Sequence, residues 1–112
     1  MTGTKLGHRI AFYCPSADGQ GNRLSTVAQT VIDRTHHLLC TMNGGSTELK
    51  ARGAWRNMDG QTVIEGVVIV YSHCSELTDG LLTSMANHAQ WIKAVARQVS
   101  VGFEIDHELY LV

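Results

Sequence analysis

The stretch NGGSTELKARGAWRNMDGQTVIEGVVIVY, Asn43 to Tyr71, decides the fold, because it reads as the two arms of a β-hairpin. Asp59-Gly60 is the turn signal: a tight bend needs positive φ, and glycine reaches it without a Cβ clash. Before the turn, Thr47, Leu49, Ala51, Gly53 and Trp55 share one face. Glu48, Lys50, Arg52 and Arg56 share the other, which is charged and wet. After the turn, Thr62 to Tyr71 is dense in β-branched residues, with Val67, Ile69 and Tyr71 alternating against Val68 and Val70. A strand apolar on both sides is central, or is covered by another copy of the chain.

Working outward, His8 to Cys14 alternates, with Ile10, Phe12 and Cys14 on one face, and Pro15 ends this first strand. The polar run Ser16 to Asn22 reads as a flexible loop. Ser25 or Thr26 is then placed to cap a helix whose apolar face carries Val27, Val31, Ile32, Leu38 and Leu39. Asn43-Gly44-Gly45 should stop that helix, glycine taking the left-handed cap. Beyond the hairpin, Thr78 is the expected N-cap of a second helix, with Leu81, Leu82, Met85, Ala89, Ile92 and Ala96 on one side. Val99, Val101, Phe103 and Ile105 predict a further strand over Gln98 to Ile105, and Leu109 to Val112 either continues it or adds another. The order β-α-β-β-α-β predicts an α+β, ferredoxin-like domain spanning residues 1–112: a four-stranded antiparallel sheet with both helices on one face.

The 112 residues are 44% hydrophobic and 17% charged, which suits one ordinary globular domain. Nine basic against ten acidic residues leave a net charge of -1, so no global field favours nucleic acid. The longest apolar run falls far short of the roughly 20 residues that span a bilayer, and a cytoplasmic protein without membrane contact is expected. Cys14, Cys40 and Cys74 are odd in number and lack CxxC spacing, which argues for free, largely buried thiols. Six histidines show no metal-ligand spacing, so neither a metal nor another cofactor is expected.

Gly45-Ser46-Thr47, Gly53-Ala54-Trp55-Arg56, Asp59-Gly60 and Glu65, followed by an apolar strand, resemble a family of small uncharacterised bacterial and phage ferredoxin-like domains. The resemblance covers nearly the whole chain and implies the fold. The family's function is unknown, and the Pro15-to-Asn22 loop is longer here than the family pattern implies.

Several residues invite chemistry. Glu65, between Ile64 and Gly66, is a carboxylate in an apolar strand; it is either a ligand acceptor or general base, or a structural partner for Arg52 or Arg56. Trp55 beside Gly53 offers a stacking surface for a planar ring, or else covers the sheet edge. Gly44, Gly45 and Thr47 form a turn whose N–H groups suit an anion, although no Lys-Ser/Thr ending of a P-loop follows. Arg23 on the loop offers a planar fork to phosphate or carboxylate. Serine or cysteine nucleophiles with a histidine base leave no local signature, because such partners meet in space and not along the chain.

Together these residues lead us to expect a non-enzymatic binder of a small, anionic, planar ligand such as a nucleotide. Trp55, Arg52, Arg56, Gly44, Gly45, Thr47, Arg23 and Glu65 would hold the ligand in a homodimer or higher oligomer. Such a binder would be a sensor or sponge, and the family resemblance extends that role to phage-host conflict. The alternatives are a cofactor-independent hydrolase or isomerase using Glu65 or a histidine as base, and a structural interaction subunit.

Overall fold

The computed structural model describes residues 3–112. The chain runs β1 (His8–Pro15), α1 (Ser25–Asn43), β2 (Thr47–Arg56), β3 (Thr62–Cys74), α2 (Asp79–Val95), β4 (Gly102–Ile105) and β5 (Glu108–Leu111). The sheet is antiparallel in the order β2-β3-β1-β4-β5, a ferredoxin-like arrangement with a fifth strand added at one edge.

Alternation along the strands sets what the helices cover. Ile10, Phe12 and Cys14 of β1 and Val70 and Cys74 of β3 point to the helices and are buried, as are Val31, Ile32 and Leu39 of α1 and Met85, Ala89 and Ile92 of α2. The helix α1 stops where Gly44 adopts φ 85° and its N–H donates to the Cys40 carbonyl at 2.8 Å. The β2–β3 turn spans five residues: the Asn57 side chain accepts from the N–H groups of Asp59 and Gln61, and Gly60 supplies φ 77°. The helix α2 starts at Thr78, whose hydroxyl accepts from the Leu81 N–H at 3.1 Å.

Four expectations change. The α1 N-cap is Leu24 and not Ser25 or Thr26; buried Leu24 donates its N–H to Ser16, and the position is fixed by packing rather than by a side-chain cap. The last core strand is short: Arg97 takes φ 50° and Gln98 N–H returns to the Lys93 carbonyl, so residues 98–101 are spent leaving α2. Only Gly102–Ile105 pairs with β1, and a turn with φ 53° at Asp106 and 71° at His107 then folds β5 back as a separate strand. The loop after β1 is organised, since buried Asp18 accepts from the N–H groups of Gln20 and Asn22 and pairs with Arg97 at 3.3 Å. Those bonds hold its carboxyl below the usual range. Cys14 and Cys74 are buried as free thiols, but Cys40 is exposed on α1. No helix of the described residues is long and apolar enough to cross a membrane.

Candidate active site

Both helices pack on one side of the sheet, so the other side is open. Strand alternation and register put Arg9 and Tyr13 of β1, Glu65, Val67, Ile69 and Tyr71 of β3, Leu49 and Trp55 of β2, and Glu104 of β4 on that open face. A hollow of about 130 Å³ lies on it, lined by Tyr13, Pro15, Glu65, Val67, Gln98, Ser100, Val101 and Gly102. Its lining is mixed, and its polar groups come from three separate segments: Tyr13 from β1, Glu65 from β3, and Gln98 and Ser100 from the stretch before β4.

Two half-buried carboxylates border this region. Glu65 is half-buried opposite Gly53, and burial raises its carboxyl; the Trp55 indole, diagonally across the hairpin, offsets this in part by hydrogen bonding. Glu104 accepts a hydrogen bond from the Tyr13 hydroxyl. That bond, with burial and the nearby negative charge, pushes the phenol up to about 12, so Tyr13 stays protonated and acts as a donor. At the far end of the face the Arg9 guanidinium stacks on Tyr71, 4.0 Å from the ring centroid.

Of the residues singled out in the sequence, the structure brings Trp55 and Glu65 together. Thr47 shares their face but sits at the other end of β2, opposite Tyr71, where it lines a second cleft of about 450 Å³ with Gly44 and Gly45. Arg52 and Arg56 alternate onto the opposite face, and Arg56 donates to the Gly60 carbonyl at 2.6 Å. Arg23 forms a β-bridge with Ala17 in the first loop. Tyr13, Glu104, Gln98 and Ser100 went unmarked in the sequence. For Tyr13 and Glu104 the signal was weak, since β-alternation places Tyr13 off the core but does not name a partner 91 residues away. Among the described residues no cluster of His, Cys, Asp and Glu has metal-binding geometry.

No family model and no curated protein matches the chain. The fold is similar to a solved structure of a phage SAM lyase in complex with S-methyl-5'-thioadenosine. That likeness has a TM-score of 0.69 and 17% identity, and covers 100% of this chain and 95% of that one. The apo state of a phage SAM lyase gives a TM-score of 0.68 at 17% identity with the same coverage. At this identity the likeness establishes the fold.

The expectation of a non-enzymatic binder for an anionic ligand is thereby corrected. The neighbours that share the whole fold are enzymes. The physical reason for the error is also in the sheet: Arg52 and Arg56 alternate onto the face opposite Trp55, and the charged side chain that lines the hollow is the Glu65 carboxylate.

Proposed function

We propose that this chain is a lyase for a sulfonium nucleoside of the S-adenosylmethionine type, releasing S-methyl-5'-thioadenosine. The observation that carries the reading is the pairing of two carboxylates, Glu65 and Glu104, with Val67, Ile69 and Leu49 on the open face, in a fold matched over its full length by a phage SAM lyase. The substrate is a cation at sulfur and at its ammonium group, so carboxylates suit it where arginines would suit an anion.

The bond to break joins the sulfonium to the aminocarboxypropyl chain. Its electron pair goes to sulfur, and the leaving thioether is neutral and needs no proton. A lyase adds no water, so the substrate's own carboxylate oxygen bonds to the γ-carbon as the C–S bond breaks, closing a five-membered lactone. Opposite charges vanish in this step, so a water-poor, weakly polar surface lowers the barrier, and holding the chain folded supplies the rest. Glu65 and Glu104 hold the ammonium and ribose hydroxyl groups, Tyr13 keeps Glu104 in place, and Trp55 stacks on the base.

The open face also carries Leu49, Leu109 and Leu111, exposed to 49%, 56% and 67%. A second copy of the chain covering these residues would close the hollow from water. The test is to incubate the purified protein with S-adenosylmethionine and follow products by liquid chromatography and mass spectrometry. Equal amounts of S-methyl-5'-thioadenosine and a four-carbon lactone are expected. An unchanged substrate would remove the lyase reading, and free homoserine formed without a lactone precursor would turn it into a hydrolase.

A further inference from the structure

A second group of reactive side chains lies at the other end of the molecule, where α1 hands over to β2. The Ser46 Oγ is 2.6 Å from His36 Nδ1, and His36 Nε2 is 2.9 Å from Glu48 Oε1. Cys40, one turn beyond His36 on the same side of α1, places its sulfur 3.3 Å from Ser46 Oγ.

The proton positions follow from the donor inventory. Glu48 as a carboxylate only accepts, so the neutral imidazole carries its proton on Nε2 and leaves Nδ1 as the acceptor. Ser46 must then donate its single proton to Nδ1, and the Cys40 S–H donates to the Ser46 oxygen. This is a nucleophile on a base that is itself held by an acid, the logic of a serine acyl-transfer triad with the two ring nitrogens exchanged. Ser46 also lines the 450 Å³ cleft with Gly44, Gly45, Thr47, Tyr71 and His73, which gives an acyl donor room to approach.

We propose that Ser46, His36 and Glu48 form an acyl-transfer site for small activated esters or thioesters, separate from the open face of the sheet. Ser46 Oγ attacks the acyl carbon as its proton passes to His36 Nδ1. The tetrahedral adduct expels the alcohol or thiol, which takes that proton, and an ester to Ser46 remains. Water then gives a proton to His36, attacks the acyl carbon and releases the carboxylate, and the proton returns to Ser46. Glu48 is a positioning residue that fixes the imidazole.

The full chain treated with p-nitrophenyl acetate should release a burst of one equivalent of p-nitrophenolate, with one acetyl group mapping to Ser46 by peptide mass spectrometry. His36→Asn should slow acylation about 100-fold. Glu48→Gln should slow it at least about tenfold with KM unchanged. Ser46→Ala should abolish the burst while leaving far-UV circular dichroism and any sulfonium cleavage intact, so the two sites fail independently. Cys40→Ser should keep the label. Acetyl found on Cys40 or on lysines alone, no burst, or an undiminished rate in folded His36→Asn would overturn the proposal.

Discussion

Burial raises the Glu65 carboxyl above its ordinary value of 4.5, and the Trp55 indole pulls it only part of the way back. A folded value above the unfolded one favours folding at low pH, and that contribution is lost as pH rises through the raised folded value, so ionised Glu65 costs the native state at neutral pH. On the proposed lyase reading Glu65 acts in its charged form, holding a cationic or hydroxylated substrate. Glu65→Gln should therefore melt at the same temperature or slightly higher, while kcat/KM for sulfonium cleavage falls about 10- to 100-fold, the worth of a hydrogen bond to a charged group. The wild-type rate should fall in acid at a higher pH than an ordinary glutamate would give, and that limb should flatten in the variant. Thermal melts with a pH-rate profile check both, and a variant that cleaves at full rate removes Glu65 from the site.

At the scale of elements, α1, α2 and β1 meet around a polar core that is fully paired. Thr35 Oγ1 donates to the Val31 carbonyl at 2.7 Å, and its two lone pairs accept from His88 Nε2 at 2.8 Å and Cys14 Sγ at 3.7 Å. His88 also stacks on Trp91 and meets Phe12 edge-on, and burial, aided by Arg34, lowers it from 6.5 to about 4. As pH falls below 6.5 the unfolded chain takes up the proton first. Stability is whole above 6.5 and should decline by on the order of 1–2 kcal/mol by pH 4, after allowance for partial exposure. His88→Phe should flatten that decline in denaturant titrations. Thr35→Val, which leaves the His88 N–H without a partner, should cost about 1–3 kcal/mol at neutral pH. Periodicity of 2 and 3.6 located every helix and the hairpin, because the buried faces of β1, β3 and α2 repeat at those spacings. Thr35 interrupts the apolar stripe of α1 and went unmarked, since its partners lie 21 and 53 residues away. Glu65 was legible because a charge stands out in an apolar strand. Glu104 and the His36–Ser46–Glu48 group were not, because strand order and helix placement bring them together.

Across the whole molecule the sheet is two-sided but the helices cover one side. The β2–β3 hairpin also runs past them, within a body 52 Å long and 24 Å across. Leu49 stands on this uncovered surface at the edge strand β2, opposite Ile69 of β3, with Ala51 and Val67 as the next pair on the same face. Burying such residues returns about 25 cal/mol per Å² of apolar area, so a sheet-to-sheet contact of ordinary size gains enough to offset association entropy. Edge pairing through β5 would leave Leu49 in water, whereas face packing would bury it, and one substitution separates the two. Leu49→Glu puts a charge where a face contact must be dry, and like charges would meet across a symmetric interface. In light scattering coupled to gel filtration, the wild type should run as a multiple of 12.3 kDa and Leu49→Glu as a folded single chain. If the hollow near Glu65 is closed by the second copy, that single chain should also lose sulfonium cleavage although none of its carboxylates has changed. A wild type that elutes as one chain would sink the covered-face model, and an oligomeric Leu49→Glu would move the contact to a sheet edge, β2 or β5.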